Sequence, residues 1–144
     1  MGKTEQSKTY HTSQLIETAI EQLKYSYTPY SGFKVGAALL AKNGTVYTGC
    51  NIENAAYTPT NCAERTAFFK AVSEGERSFT RIAVVGNYPG KPGDYCAPCG
   101  VCRQALYEFG GPKLTVIMAK DENDYIVTTL GDLLPYGFGP ANLE

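Results

Sequence analysis

The chain has 144 residues, 43% hydrophobic and 19% charged, which is enough for one globular domain with a buried core and too few for two. With 13 lysines and arginines against 14 aspartates and glutamates, the net charge is −1, so no basic field favours binding to nucleic acid or to an acidic membrane surface. The polar N-terminal stretch lacks the apolar core of a signal peptide, and no apolar run approaches the roughly 18 residues of a membrane span.

Five cysteines are present, an odd number that does not indicate a disulfide framework. Without a secretion signal they are expected to be free thiols in a reducing compartment. The sequence therefore predicts a cytoplasmic protein with a small-molecule ligand, with no nucleic acid or membrane partner.

The first half of the chain predicts one helix and a hairpin. Residues 1–11 are expected to be a loose tail. A helix follows, capped by Thr12 or Ser13 and ended by Pro29, because apolar residues recur at helical spacing at Leu15, Ile16, Ala19, Ile20 and Leu23. The segments "FKVGAALL" and "TVYTGCNI" are typical of strands, and the "NG" pair between them indicates a hairpin turn.

The second half predicts two more helices and three more strands. A helix from Cys62 to about Glu74, with Asn61 as its cap, precedes the interior strand "RIAVVGN". Pro98 is predicted to be the first residue of a third helix that ends before Gly110. The strands "KLTVIMA" and "DYIVTTL" should be antiparallel, because the connector between them is too short for a parallel crossover. The order of elements predicts an α/β fold, a mixed five-stranded sheet with helices on its faces.

Three cysteines lie at the starts of the second and third predicted helices: Cys62 in one, Cys99 and Cys102 in the other. If both helices begin at the same edge of the sheet, their thiols converge. Helix N-termini favour thiolates through the helix dipole and the free N–H groups. Three thiolates bind zinc and leave a fourth tetrahedral position open, as a catalytic site requires.

Charged residues beside these cysteines have two possible roles. Zinc with three thiolates carries a charge of −1, and Arg65, within about one helical turn of Cys62, is assigned to offset it, with Arg103 as a weaker candidate. Glu64 could complete a capping box with Asn61. Beside an open zinc site, the same carboxylate could instead move protons between an activated water and a substrate.

Five segments in order along the chain resemble the motifs of one family: "PYSGFKVGAAL", "GCNIENAAY", "NCAERTA", "APCGVCRQ" and "DLLPYGFGP". The chain resembles the cytidine deaminases, specifically their short, homotetrameric, zinc-dependent nucleoside type, from about residue 25 to residue 142. The resemblance implies a single domain over residues 1–144, built as a three-layer sandwich, with one Zn²⁺ per chain and active sites shared within a homotetramer. It also implies hydrolytic deamination of cytidine and 2′-deoxycytidine to uridine and 2′-deoxyuridine with release of ammonia, a reaction of pyrimidine salvage.

The resemblance also implies a role for individual residues. It assigns zinc binding to Cys62, Cys99 and Cys102 and the proton shuttle to Glu64. It implies that Asn51 and Glu53 hydrogen-bond the ribose hydroxyls, that Phe33 packs against the nucleoside, and that the backbone N–H of Ala63 faces the pyrimidine carbonyl. Tyr57 and Phe138 are implied to reach a neighbouring subunit's site.

Two features depart from the family pattern or leave alternatives open. Cys96 and Ala97 stand before Pro98 where the family often has a β-branched residue and then serine, and Cys96 could in principle close the zinc coordination and make the site structural. Cys50 is expected to be a small strand residue. The alternative functions are a zinc-stabilised module without catalysis, and a deaminase acting on another aminopyrimidine or on nucleic acid.

Overall fold

The computed structural model describes residues 10–144, and at its centre lies one five-stranded sheet. Its strands are β1 (Lys34–Ala41), β2 (Val46–Cys50), β3 (Phe79–Asn87), β4 (Thr115–Asp121) and β5 (Asp124–Thr129). They lie in the order β2–β1–β3–β4–β5. β1 is antiparallel to both of its neighbours, β3 and β4 are parallel, and β4 and β5 are antiparallel. The predicted mixed sheet and its final antiparallel pair are therefore confirmed.

Four α-helices and two 3₁₀ turns accompany the sheet within the described residues. The helices are α1 (Thr12–Glu21), α2 (Ala63–Ser73), α3 (Gly100–Gly110) and the single-turn α4 (Leu130–Leu133), and the 3₁₀ turns are Gln22–Tyr25 and Pro140–Leu143. Neither α4 nor the 3₁₀ turns were predicted. One turn of helix is too short to produce a periodic apolar pattern, so these elements leave little trace in the sequence.

The predicted starts of the helices are wrong by one or two residues. α1 begins at Thr12, and its cap is His11, whose carbonyl accepts the Leu15 N–H at 3.0 Å. The helix ends before the 3₁₀ turn at Gln22–Tyr25, well short of Pro29, so that proline does not end it. Helix ends depend on local backbone hydrogen bonds that a propensity pattern resolves only to within one or two residues.

The caps of α2 and α3 are the two cysteines themselves. Asn61 does not cap α2, because its N–H and C=O are both paired with Ile52, at 2.9 Å each, which holds Asn61 in an extended bridge. Pro98 lies outside α3, because the first helical N–H bond, from Arg103, goes to the carbonyl of Cys99 at 2.9 Å. Cys62 and Cys99 therefore occupy the N-cap positions.

Two hydrophobic clusters cover opposite faces of the sheet and create three layers. On one face α1 packs against strand residues, in a cluster of Leu15, Ile16, Ala19, Ala38, Leu40, Ala83, Val85, Ile117 and Ala119. On the other face α2 and α3 pack side by side, with a core that includes Leu39, Ala67, Phe68, Ala71, Ile82, Val84, Leu106 and Val116. The predicted three-layer α/β sandwich is confirmed.

The sheet directions explain where α2 and α3 begin. β2 and β3 run in the same direction, since each is antiparallel to β1. α2 connects β2 to β3 and α3 connects β3 to β4, so both are crossover helices on one face of the sheet. Each therefore begins at the edge where its preceding strand ends, and the two N-termini meet there.

Residues 1–9 lie outside the described residues, and most of the predicted loose tail falls on them. Tyr10 is held in place, because its hydroxyl lies 3.2 Å from Thr18 Oγ1 and its carbonyl accepts a hydrogen bond from the Arg81 guanidinium. Across residues 10–144, none of the helices has the length and apolar character needed to cross a bilayer.

Gly49 determines how closely α2 can approach β2. A Cβ built at this position would lie 2.3 Å from the carbonyl oxygen of Ala63 and 2.5 Å from the amide nitrogen of Ala67. Because both neighbours are backbone atoms, no side chain can move aside, and any larger residue must push the start of α2 away from the sheet.

We expect Gly49→Ala to lower the free energy of unfolding by about 1–3 kcal/mol, the usual cost of overpacking. Urea denaturation followed by circular dichroism measures it. Gly100→Ala is the matched control, since a Cβ there meets nothing within 4 Å, and its effect should stay within about 0.5 kcal/mol. Equal stability of the Gly49 variant and the parent would contradict the close approach.

Candidate active site

Three thiols converge where α2 and α3 begin. The sulfurs of Cys62 and Cys99 are 3.6 Å apart, those of Cys99 and Cys102 are 3.5 Å apart, and all three lie within 4.8 Å of one another. Cys62 and Cys99 are the N-caps of their helices, and Cys102 lies in the first turn of α3, where it is fully buried. The predicted convergence is confirmed.

The geometry of the three sulfurs fits a zinc ion. Tetrahedral zinc with Zn–S bonds of about 2.3 Å holds its sulfurs about 3.8 Å apart, close to the separations observed here. Within residues 10–144 this is the one group of three or more Cys, His, Asp or Glu side chains close enough to hold a metal. The cluster is therefore positioned to bind one zinc through three protein ligands, with the fourth position left for another molecule.

Arg65 supplies positive charge to the cluster. Its Nη2 donates to the Cys62 sulfur at 3.4 Å, and its buried Nε has no hydrogen-bond partner within the described residues. The Cys102 thiol and this guanidinium lower the pKa of Cys62 to about 5, against the opposing effect of burial. The site therefore stabilises negative charge on sulfur before any metal is considered.

Arg103, the weaker candidate for that role, is held elsewhere. Its Nε donates to the carbonyl oxygen of Pro98 and its Nη1 to that of Leu133, both at 2.7 Å. These bonds tie the start of α3 to the short helix α4. Arg103 therefore braces the loop before Cys99 and makes no hydrogen bond to the thiols.

Glu64 is buried beside the thiols, with only 3% of its surface exposed. Because Cys62 is the N-cap, Glu64 occupies the second helical position, so the capping box with Asn61 is absent. Instead its carboxyl group borders the same cavity as Cys62 and Cys99. Burial, together with a smaller effect of the negative charge on Cys62, raises the pKa of Glu64 to about 7. A carboxyl group in that range can both accept and donate a proton near neutral pH.

Cys62, Cys99 and Glu64 line a cavity of about 430 Å³. Its wall includes seven of the predicted site residues: Phe33, Asn51, Glu53, Cys62, Ala63, Glu64 and Cys99. Ala63 is the first residue of α2, so its N–H has no intrahelical partner and is available to an acceptor in the cavity. A cavity of this size matches a small-molecule site.

Asn51 connects the cavity wall to the start of β1. Its Oδ1 accepts the Val35 N–H at 3.0 Å, and its Nδ2 donates to the Phe33 carbonyl at 2.8 Å. The side chain thus pairs with the strand as a backbone segment would. An amide group has two donor hydrogens and two acceptor lone pairs, so one of each remains for a ligand.

Glu53 is fixed by the turn that precedes β1. Its carboxylate accepts the N–H groups of Tyr30 (3.0 Å) and Ser31 (3.1 Å) and the Ser31 hydroxyl. The Ser31 hydroxyl and these N–H groups lower the pKa of Glu53, which keeps it ionised. Its segment is held in place by backbone bonds, from Tyr27 N to Asn51 O and from Glu53 N to Tyr27 O.

Tyr57 and Phe138 lie outside this cavity and are exposed, at 73% and 56% of their surface. Tyr57 has a positive φ of 65° and borders a second cavity of about 320 Å³ that adjoins the first through Ser31, Glu53 and Thr60. The Phe138 carbonyl accepts a hydrogen bond from Gln104 on α3 at 2.8 Å. Neither side chain contributes to its own chain's thiol-lined cavity.

Cys96 borders the cavity without joining the thiol cluster. Burial raises its pKa to about 12, so it remains a protonated thiol. The alternative in which Cys96 closes the metal coordination is therefore wrong for this structure. Cys50 ends β2, as expected for a strand residue, and its carbonyl accepts the Thr66 hydroxyl at 3.0 Å.

Several cavity residues were not predicted to be in the site: Ser31, Val35, Thr60, Asn61, Tyr88, Cys96 and Ala97. Ser31 lies in the "PYSGF" motif, and Asn61 directly precedes Cys62, so the sequence held a signal for both. Tyr88 and Thr60 lie in loops whose approach to the cavity depends on the packing of the whole fold.

Comparison with known proteins identifies what this site resembles. A family model described as "Cytidine and deoxycytidylate deaminase zinc-binding region" matches residues 9–118. A cytidine deaminase of Sporosarcina psychrophila is 49% identical over 130 residues, which are 90% of this chain and 93% of that one.

Solved structures agree with the sequence comparison. The crystal structure of cytidine deaminase from Burkholderia pseudomallei has a TM-score of 0.78 and 50% identity, covering 86% of this chain and 96% of that one. The cytidine deaminase of Mycobacterium tuberculosis has a TM-score of 0.75 and 39% identity, covering 87% and 94% of the two chains. These likenesses extend over the fold and over the sequence that builds the thiol cluster.

We expect Cys62→Ala, Cys99→Ala and Cys102→Ala each to abolish zinc binding, because two thiolates and a water are a poor substitute for three thiolates. Atomic emission measurement on purified protein gives the metal content, expected to be one zinc per parent chain. Cys96→Ala and Cys50→Ala are matched controls that should keep it. Loss of zinc from the Cys96 variant would contradict the three-ligand site.

Proposed function

The chain belongs to the cytidine and deoxycytidylate deaminase family, and on that premise we propose that it catalyses the zinc-dependent hydrolytic deamination of cytidine and 2′-deoxycytidine. The products are uridine or 2′-deoxyuridine and ammonia, as in pyrimidine salvage. The observation that carries this proposal is the buried carboxyl group of Glu64 in the same cavity wall as the three-thiol cluster. All five cysteines are free thiols, which fits the cytoplasmic location that we also propose.

The chemistry divides between the metal and the protein. When bound, zinc supplies Lewis-acid activation of a water molecule. Cys62, Cys99 and Cys102 would hold it, and Arg65 would offset the negative charge of their sulfurs. Glu64 would accept one proton of the water as the water oxygen bonds to C4 of the pyrimidine, and would deliver that proton to N3. It would then take the second proton from the hydroxyl group now on C4 and pass it to the amine, as the bond from C4 to the amine breaks and the C4 carbonyl forms. One water is consumed and one ammonia released.

The remaining cavity residues would orient the nucleoside. The free N–H of Ala63 at the start of α2 is suited to the pyrimidine carbonyl oxygen, which the helix dipole also favours. Phe33 offers an apolar face for the base. Asn51 and Glu53 lie farther along the same wall and retain hydrogen-bonding capacity for the ribose hydroxyls.

The charges of the cavity favour a nucleoside over a nucleotide. Among residues 10–144, no lysine or arginine lines the main cavity or the one beside Tyr57, and Glu53 presents an ionised carboxylate to both. A phosphate group would meet this carboxylate without a compensating cation, which is unfavourable. The same argument opposes a polynucleotide substrate, since nucleic-acid sites depend on phosphate contacts.

A non-catalytic zinc module is the alternative from another class. Such a module has no need of a cavity beside the metal or of a buried carboxyl group with a raised pKa, because an uncompensated buried carboxyl costs stability. The open cavity and Glu64 are therefore better explained by catalysis.

We also propose that the active form is a homotetramer in which a neighbouring chain completes each site. Tyr57 and Phe138 support this, since both are exposed aromatic side chains outside their own chain's cavity. Tyr25, Tyr27, Tyr30 and Tyr136 are exposed as well, and so many exposed aromatic side chains are characteristic of a surface that another protein covers.

We expect Glu64→Gln to keep the fold and the zinc but to lose about 10²–10⁴-fold or more in kcat, because an amide cannot transfer protons. The fall in cytidine absorbance on conversion to uridine measures turnover, with and without prior treatment with a strong chelator. Cytidine monophosphate is the matched substrate control and should react poorly. Activity of the variant within a few-fold of the parent would contradict the proposed mechanism.

The shared site leads to a test by mixing two defective chains. Glu64→Ala and Phe138→Ala should each be weak or inactive alone. In mixed tetramers some sites combine a native Glu64 with a native Phe138 from the neighbour, so activity should return to about a quarter of the parental value when subunits mix at random. Mixing Glu64→Ala with Cys62→Ala is the control and should restore nothing. Mixed tetramers no more active than the averaged parents, with exchange confirmed by mass spectrometry, would place Phe138 outside the neighbour's site.

A further inference from the structure

The loop between β3 and α3 brings a tyrosine, Tyr88, to the cavity in a preorganised turn. Tyr88-Pro89-Gly90-Lys91 is closed by a 3.1 Å hydrogen bond from the Lys91 N–H to the Tyr88 carbonyl, and Gly90 has a φ of +77°. Proline at the second position and a left-handed glycine at the third are the requirements of a type II turn. The conformation at Tyr88 is therefore fixed by its own neighbours.

Tyr88 pairs with Phe33 in the cavity wall. The two ring centroids are 5.2 Å apart, and the ring planes meet at 68°, an edge-to-face arrangement. Both side chains line the main cavity, and half of the Tyr88 surface remains exposed. Within the described residues no hydrogen bond involves the Tyr88 hydroxyl. Together the rings form an apolar surface next to the polar wall of Asn51 and Glu53.

Close backbone packing holds the loop against the sheet and fixes the Phe33 ring. A Cβ at Gly86 would lie 2.8 Å from both the Phe33 ring and the Cys96 sulfur, so this glycine makes room for the aromatic wall. A Cβ at Gly93 would lie 3.0 Å from the Gly86 carbonyl. The loop is thus seated on β3 at the point where Phe33 enters the cavity.

A side-chain anchor attaches the far end of the loop to the β4–β5 hairpin. The Tyr95 hydroxyl donates to Asp124 Oδ1 at 2.6 Å, and the Lys120 ammonium lies 4.6 Å from the centre of the Tyr95 ring. Lys120 also pairs with Asp124 at 3.9 Å. Three side chains from two separate segments therefore hold the loop against the β4–β5 hairpin.

From these contacts we propose that Tyr88 is a further substrate-binding residue, whose ring extends the Phe33 wall along the bound nucleoside, and that Tyr95 positions it through Asp124. The inference rests on the proposed function. Tyr88 lies against an aromatic partner and does not bond to Glu64 or the thiols, so it contributes to binding of substrate and product alike. Removal of its ring should therefore change affinity and leave the chemical step unchanged.

The test compares Tyr88→Ala and Tyr88→Phe in the full-length zinc-loaded protein. We expect Tyr88→Ala to raise KM for cytidine about five- to tenfold, the lower range for loss of a base–aromatic contact, because half of the ring is exposed. kcat should stay within about twofold. Calorimetry should show the same weakening for uridine, measured without turnover. Tyr88→Phe retains the ring and should match the parent in both measurements.

Tyr125→Ala is the matched control, since this tyrosine is also partly exposed but lies on β5 and does not line the cavity; KM should be unchanged. Unaltered KM and uridine affinity in Tyr88→Ala would overturn the proposal, as would a Tyr88→Phe variant as weak as the alanine variant. If the parent protein binds uridine but does not deaminate cytidine, the proposed function is wrong. In that case the uridine affinities of the Tyr88 variants still test whether Tyr88 binds the nucleoside.

The positioning role of Tyr95 has its own measurement, a double-mutant cycle. Tyr95→Phe removes the hydroxyl that bonds to Asp124 and should raise KM about two- to threefold in the parent, at unchanged kcat and zinc content. In the Tyr88→Ala background the same change should have no effect on KM, because the side chain that it positions is absent. Equal effects in both backgrounds would overturn the positioning role.

Discussion

The whole site depends on one topological constraint, the common direction of β2 and β3. Because each is antiparallel to β1, the helices that follow them, α2 and α3, both begin at the same edge of the sheet and on the same face. Cysteines at the two N-cap positions are thereby brought to 3.6 Å from each other, although 37 residues separate them. Free N–H groups and helix dipoles from both elements favour negative charge at this point. A metal site and an anion-stabilising site are therefore created together.

Two neighbouring residues of α2, Arg65 and Glu64, determine the electrostatics of the thiol cluster and of the cavity beside it. The thiol cluster accumulates negative charge, which Arg65 offsets from the same helix. Glu64, one residue earlier, is buried so that its carboxyl group resists ionisation, and its pKa rises to about 7. Two adjacent residues of α2 therefore have different electrostatic roles. Arg65 is a permanent cation beside the sulfurs, and Glu64 is an acid in the cavity that can exchange a proton. Glu64 is buried and Arg65 is only partly buried, so the carboxyl group is driven towards its neutral form while the guanidinium stays charged beside the sulfurs.

Two polar residues that line the cavity combine structural and binding roles in the same side chains. Asn51 replaces backbone pairing at the start of β1, and Glu53 closes the turn at Tyr30 and Ser31. Both side chains line the cavity and keep some hydrogen-bonding capacity, so the groups that would bind a ligand are already held in place by the fold. Such preorganisation lowers the entropic cost of binding. The loop at Tyr88 follows the same rule, since a turn and a side-chain anchor fix it before any ligand arrives.

The sequence by itself determined the α/β class, the order of the main helices and strands along the chain, and the antiparallel final pair of a mixed sheet, because each depends on periodicity or on the length of a connector. It also singled out the three thiols and Glu64 as site candidates, because they recur at close spacing where two predicted helices begin. It did not determine the helix caps, where the pairing of Asn61 with Ile52 moved the cap to Cys62. The spacing to Cys62 already favoured Arg65 over Arg103 beside the thiols. Only the tertiary structure decided that Arg103 bonds to Pro98 and Leu133, that Cys96 stays apart from the thiol cluster, and that Tyr88 meets Phe33. Those outcomes depend on contacts between segments that are distant along the chain. The packing of helices and loops on the sheet fixes these contacts, and they leave no local pattern in the sequence.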